Sequence, residues 1–187
     1  MATKGEGTMY RLFVAIDMPG LVRDSISALA DLSISGAKWV PRDQLHLTLR
    51  FIGDADEKLY REIKGRLSVV GVPSFFLEVK GIGHFPPRGE ARVLWAGVSN
   101  SRELEGLQAK IEKEIVNAGV DAERRRFSPH ITIARLRNVS AEKLLQLAER
   151  NREFNAGIFP VKEFYLYSST LSREGAIHKR EAVYPLE

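Results

Sequence analysis

The chain predicts an α+β fold built mainly from antiparallel strands, and three observations carry that expectation. Segments of strand-like alternation and segments of helical spacing intermingle along the 187 residues. Consecutive strands either adjoin one another or return through a helix, unlike the regular strand–helix alternation of a doubly wound parallel sheet. No linker is long enough to separate domains. Residues 1–8 are small, polar and glycine-containing, and read as a loose leader ahead of a single domain over residues 9–187.

The elements follow in order. Residues 10–16 (YRLFVAI) form a buried strand, and Pro19 opens a helix with Val22, Ile26 and Leu29 on one face, ending near Gly36. Residues 37–40 make a short strand stopped by Pro41. Residues 45–52 alternate cleanly and stop at Gly53-Asp54. A helix over 56–70 places Leu59, Ile63, Leu67 and Val70 on one face. Strands at 75–82 and 93–98 flank a loop rich in Gly and Pro, and a helix over 101–118 buries Leu104, Leu107, Ile111 and Ile115. A strand at 129–134, a short helix at 140–150 and strands at 161–168 and 177–184 close the chain. The total is about eight strands and four helices.

Composition excludes several classes. With 44% hydrophobic and 28% charged residues the chain is rich enough in apolar side chains to bury a core, so it is not disordered. The absence of cysteine rules out disulfide scaffolds, thiol nucleophiles, iron–sulfur clusters and cysteine zinc sites. Apolar runs such as residues 12–16 are too short to span a bilayer, and no signal-peptide pattern is present. A monomeric cytoplasmic protein with no membrane partner is the expectation. The net charge of +4 suits a phosphate-bearing substrate without requiring nucleic acid.

Chemistry is signalled by a duplicated motif. His46-Leu-Thr48-Leu49 and His130-Ile-Thr132-Ile133 both read His, apolar, Thr, apolar within alternating strands. Alternation puts each His and its Thr on one face and the apolar residues on the other. Only five of the residues are Thr, so a given His has Thr two places on with probability about 0.03; two of the four histidines do. Two imidazoles can act as acid and base near neutrality, and two hydroxyls can hold non-bridging phosphate oxygens without titrating. Placed on opposite sides of a phosphodiester, such pairs suit in-line displacement at phosphorus.

The chain resembles the two-histidine phosphoesterase superfamily, and within it the RNA 2′,3′-cyclic phosphodiesterase (2′-5′ RNA ligase, or LigT-like) family. The carriers, in order, are YRLFVAID, LHLTLRFIG, GIGHFPPRGEARVLWAGV, FSPHITIARL and YLYSSTLSREG. The resemblance implies two pseudo-symmetric lobes, with antiparallel sheets facing a central cleft and helices packed outside. It implies metal-independent, cofactor-free hydrolysis of RNA 2′,3′-cyclic phosphate ends, or of small cyclic nucleotides, to 2′-phosphomonoesters. His46 and His130 are its catalytic pair, and Thr48 and Thr132 its phosphate contacts. The residue five past each His also enters the family's site. Here these are Phe51, suited to stacking on a base, and Arg135, suited to phosphate. Strict alternation sends both to the face opposite the histidines, so either the strands bulge there or the two residues stay out of the site. His178 stands where relatives commonly carry an aromatic residue, often Tyr; it either alters the wall near the cleft or is a surface substitution without consequence, and the second is the favoured reading.

Other features read as structure. Trp39 and Trp95 lie in apolar strands and belong to the core; His84 belongs to a rigid rim beside Pro86 and Pro87; Gly81 and Gly83 lack the third glycine of a dinucleotide fingerprint. The run 124–126 (RRR) is either a solvated loop or a rim guiding an RNA tail. Three competing functions use the same residues: 2′-5′ end joining, nucleotide or RNA binding without turnover, and metal-dependent hydrolysis. Two intact His–Thr pairs speak against a pure binder. No HExxH and no His-rich cluster completes a metal shell. Of the pair, His130 is assigned the base and His46 the acid, with both limbs of the pH profile between about pH 5 and 8.

Overall fold

The computed structural model describes residues 8–32, 34–99, 101–171 and 176–187. Most of the leader and the last four residues of the YLYSSTLSREG segment therefore lie outside the described residues. The strands are β1 (Tyr10–Asp17), β2 (Ala37–Trp39), β3 (His46–Ala55), β4 (Phe75–Phe85), β5 (Val93–Val98), β6 (His130–Leu136), β7 (Asn155–Val161), β8 (Glu163–Leu171) and β9 (Ala176–Pro185). The helices are α1 (Gly20–Ser27), α2 (Glu57–Leu67), α3 (Arg102–Asn117) and α4 (Ala141–Arg150). Asp56, Ser101 and Ser140 cap α2, α3 and α4 by accepting from backbone N–H groups three residues on.

The strands form one antiparallel sheet in the order β7-β4-β5-β6-β3-β1-β8-β9, with β2 added against β6. The α+β expectation holds, and so do the two halves. They are not separate sheets, however, because β3 and β6 meet at one bridging pair, Leu47 and Ile131. On one side lie β3, β1, β8 and β9; on the other lie β6, β5, β4 and β7. The buried residues of all four helices join the inward side chains of both halves in one core, so the helices cover one face of the sheet and leave the other open. Strand β1 is buried on both faces: Leu12, Val14 and Ile16 enter the main core, while Phe13 and Ala15 join Tyr165 and Tyr167 in a second cluster on the open face.

Two elements differ from expectation. The first helix stops at Ser27 and continues as a 3₁₀ segment, Ala28–Leu32, instead of running to Gly36. Strand β7 is additional. It pairs with β4 alone at the sheet edge, and it contains Gly157 at φ +97° and Pro160, which lacks an N–H. An edge tolerates both, but together they hide the strand from pattern reading.

The decisive local irregularities are matched bulges. Ala15 pairs with Thr48 and Val14 with Arg50, leaving Leu49 as the extra residue in β3. Trp95 pairs with Thr132 and Leu94 with Ala134, leaving Ile133 as the extra residue in β6. Each bulge falls three residues past its histidine and reverses the alternation. Leu49 and Arg50 are consequently both buried and Phe51 exposed; Ile133 and Ala134 are both buried and Arg135 exposed.

Arg50, the buried charged residue of this core at 7% exposure, is satisfied on the inner side of its bulge. It donates to Glu112 of α3, to the Phe51 carbonyl and to the Asp121 carbonyl, while Glu112 also accepts from the Glu123 backbone N–H. Removing one member of so enclosed a pair leaves the other desolvated and unpaired. Arg50→Ala should therefore cost about 3 kcal/mol of unfolding free energy, and Arg50→Ala with Glu112→Ala clearly less than the sum of the single changes. Urea titration of the four proteins checks this; additive losses would show that the pair is not coupled.

Candidate active site

The register across the seam assembles the site. Carried one residue either way from Leu47 and Ile131, the antiparallel pairing sets His46 opposite Thr132 and Thr48 opposite His130. Leu47 and Ile131 are fully buried beneath, so the four polar side chains stand on the open face. Each His–Thr pair thus faces the other across a local two-fold.

Both imidazoles are held identically. His46 Nδ1 lies 2.7 Å from the Gln44 carbonyl oxygen, and His130 Nδ1 lies 2.7 Å from the Ser128 carbonyl oxygen. A carbonyl can only accept, so each Nδ1 carries hydrogen and each neutral ring presents a lone pair at Nε2. Once protonated, the same Nε2 becomes a donor. Each ring also rests on a phenylalanine: His46 against Phe13 and His130 edge-on to Phe85, both with centroids 5.0 Å apart.

A cleft of about 670 Å³ opens beside the seam, and its wall includes His46, Thr132, Phe51 and Arg135 together with Phe13 and Trp39. The bulges bring Phe51 and Arg135 onto the histidine face, which resolves the conflict that strict alternation posed. Thr48 and His130 share that face but lie outside the wall of this cavity. Among the described residues no group of three or more His, Asp or Glu is placed to hold a metal ion, and no helix is long and apolar enough to cross a membrane.

Three readings from sequence are corrected. His178 is not an inconsequential surface residue: it is edge-on to His46, with centroids 5.3 Å apart at 88°, and lines the cleft. Its position was visible only as a departure from the family pattern, because the β1–β8 pairing that carries the β8–β9 hairpin toward β3 is long-range. Trp39 does pack against the main core, but it is only half-buried and also lines the cleft. Trp95 is half-buried and pairs in register with Thr132, with its ring lying over Gly83, where a Cβ would fall 2.2 Å from the indole. Of the remainder, His84 is held by the Pro86 carbonyl at 2.9 Å, as a rim residue should be. Residues 124–126 are exposed in the α3–β6 connection, with Arg125 tied to Glu123.

Next to His46 a charged network is closed upon itself. Asp17 accepts from Tyr167 Oη at 2.7 Å and pairs with Arg23 and Arg180, while Arg180 also donates to Tyr167 and lies over the Tyr165 ring. Burial, together with the bond to Asp17, pushes the Tyr167 pKa up to about 12, so this phenol keeps its proton.

An antiparallel sheet with helices on one face and two opposed His–Thr pairs on the other defines a phosphoesterase-like architecture with paired imidazoles. The family model for the 2′-5′ RNA ligase superfamily matches residues 21–173. A Thermotoga maritima protein named RNA 2′,3′-cyclic phosphodiesterase is 36% identical over 90% of this chain and 91% of its own length. A Methanocaldococcus jannaschii protein of the same name is 33% identical over 90% and 96%. The structure of E. coli LigT complexed with 3′-AMP superposes with a TM-score of 0.81 at 27% identity, covering 96% of this chain and 99% of that one. The chain belongs to the 2′-5′ RNA ligase superfamily.

Burial among the aromatic rings is the largest influence on His46 and lowers its pKa to about 4; the Gln44 carbonyl and Asp17 oppose this, and His178 and Arg23 reinforce it. The folded pKa lies below the unfolded value of about 6.5, so between the two the unfolded chain binds the extra proton. Stability attached to neutral His46 is thus fully present above about pH 6.5 and is lost as pH falls toward 4, by at most about 1.4 kcal/mol per pH unit. NMR titration of the His46 ring in the unliganded protein should give a midpoint well below 6.5. A midpoint at or above that value would show that the aromatic wall does not desolvate it.

Proposed function

We propose that this protein hydrolyses 2′,3′-cyclic phosphate ends of RNA, or small cyclic nucleotides, to 2′-phosphomonoesters without a metal ion. The carrying observation is the matched pair of bulged strands, each presenting His, Thr and a third residue to one face with the imidazole Nδ1 fixed to a carbonyl. The names of its relatives support the same substrate class. The same reading takes the protein as a monomer that acts in the cytoplasm with RNA as partner.

In the reaction, one neutral histidine takes a proton from water as its oxygen bonds to phosphorus. The P–O3′ bond breaks, and the opposite, protonated histidine gives its proton to the departing O3′. Thr48 and Thr132 donate to the non-bridging oxygens. Phe51 stacks on the terminal base, and Arg135 meets phosphate along the cleft. The Nδ1–carbonyl contacts of the two rings are equivalent, so those contacts do not separate their roles and protonation must. The unliganded site holds His46 neutral, the state a base needs. For His46 to serve as the acid, as assigned from sequence, it must take up a proton together with the phosphodiester anion. The low pKa of His46 also moves one limb of the kcat/KM profile below the interval of pH 5 to 8 expected from sequence.

An oligoribonucleotide ending in 2′,3′-cyclic phosphate, incubated with the protein in EDTA, should yield a 2′-phosphate. Loss of turnover on chelation, restored by zinc, would overturn the mechanism; joining to a 5′-hydroxyl acceptor as the main product would reassign the reaction to end joining. His46→Ala and His130→Ala should each lower kcat by about 10²–10⁴-fold while the fold persists, and the double variant should fall far short of the product of the two. Thr48→Ala and Thr132→Ala should each cost about 1–3 kcal/mol of transition-state stabilisation, with Thr→Ser milder. Ser as damaging as Ala would assign the threonines to packing. Calorimetry of adenosine 2′-monophosphate binding near pH 6.5, in buffers of different ionisation enthalpy, reads the roles: uptake of a proton, localised to His46 by NMR, assigns it the acid, and a His46 that stays neutral is the base.

A further inference from the structure

His178 is a third imidazole in the site that neither motif supplies. On β9, it stands edge-on to both His46 and Phe13, the latter with centroids 4.9 Å apart. It borders both the large cleft and a smaller pocket that meet at His46. Its ring is held differently from that of His46. His46 Nδ1 faces a carbonyl and must carry hydrogen, which leaves a lone pair at Nε2. His178 Nδ1 is buried with no hydrogen-bond partner. An orphaned buried N–H is rarer in native proteins than an under-satisfied acceptor, so the hydrogen of the neutral ring belongs on Nε2. That nitrogen is the one left to face the cavities.

The neighbouring rings therefore present opposite groups, a lone pair from His46 and an N–H from His178. Charging His178 would put a second N–H on Nδ1, where nothing accepts it, and burial lowers its pKa in the same sense. Of the charged groups lining the smaller pocket, Asp17 of β1, Arg23 of α1 and Arg180 of β9 engage one another, with Tyr167 of β8 donating to Asp17, and Asp43 also lines it; Arg11, Lys38 and Arg135 line the larger cleft.

We propose that His178 is a substrate-binding residue, a neutral donor through Nε2–H to a non-bridging phosphate oxygen held beside His46. The inference rests on the cyclic-phosphate reading of the site and adds a donor that does not titrate with the catalytic pair. It makes the two halves unequal, since neither motif supplies an equivalent ring next to His130.

Three substitutions separate a donor from a filler. His178→Phe keeps the ring and loses the donor; His178→Gln places an amide nitrogen near Nε2; His178→Asn places one near Nδ1. With the cyclic-phosphate oligoribonucleotide, Phe and Asn should lower kcat/KM at least about tenfold, and Gln should recover most of it. Both limbs of the pH profile should persist, the one set by His46 moving upward as the lowering influence of His178 is removed. Equal losses in all three variants, no loss in any, or disappearance of one limb would overturn the proposal. Binding of adenosine 2′-monophosphate, measured on the same proteins, should follow the same order. Weakened binding by His178→Phe in a protein that turns nothing over would sink the hydrolase reading and keep the donor. Normal turnover and binding in that variant would do the reverse, and a wild type that neither binds nor turns over would remove both. Should a variant fail to fold, ¹⁵N shifts of His178 in the wild type report the tautomer directly, and hydrogen on Nδ1 would end the proposal.

Discussion

The site depends on the seam where β3 and β6 touch at Leu47 and Ile131 and nowhere else in register. Both side chains are fully buried, so the core fixes which residues of the two strands turn outward. Side chains alternate with a period of two, and a slip of one residue in either strand would bury a histidine and expose an isoleucine or leucine. Hydrophobic burial on the helix side thus enforces polar alignment on the open side. A single bridge also lets the strands part on either side of it, which makes room for a cleft beside the proposed catalytic groups.

The bulges extend this control. Without Leu49 and Ile133 as extra residues, the alternation would carry Phe51 and Arg135 toward the core. The inserted residue reverses the sense, and the cost of the reversal falls on the next position. In β6 that position is Ala134, small enough to be buried without compensation. In β3 it is Arg50, and its guanidinium needs Glu112 and two carbonyls to be tolerated there. One half solves the problem by size and the other by pairing. The pair then ties β3 to α3 and to the connection leading into β6, so the strand of one motif is braced by the segment that introduces the other.

Much of this was legible in the sequence, and the limits have physical causes. The strands and helices of the core showed through periodicity, and the duplicated His-x-Thr placed the four site side chains because alternation is local. The bulges were legible only as a conflict: residues expected in the site lay on the wrong face, and nothing in LTLRF or ITIAR marks Leu49 or Ile133 as the extra residue. The edge strand β7 was lost because Gly157 and Pro160 are breakers wherever an edge does not excuse them. His178 and Trp95 were misjudged for a different reason. Their surroundings are made by β8–β9 and β4–β5 pairing, and an aromatic in a strand reads the same whether it faces a core or a cleft.

The electrostatics explain why the proposed phosphate contacts are hydroxyls. His46 is already held neutral by its aromatic wall, and a lysine at the position of Thr48 or Thr132 would press its pKa further down. That would oppose the protonated state that one histidine of the pair must reach. Hydroxyls satisfy phosphate oxygens and leave the proton balance of the imidazoles alone. In the smaller pocket at His46, Arg23 and Arg180 are committed to Asp17, while Arg135 stands on the cleft wall five residues from its histidine. The positive charge that attracts a phosphodiester is therefore kept off the pair that must exchange protons. An anion bound beside them favours the protonated imidazole, opposing the effect of burial on His46.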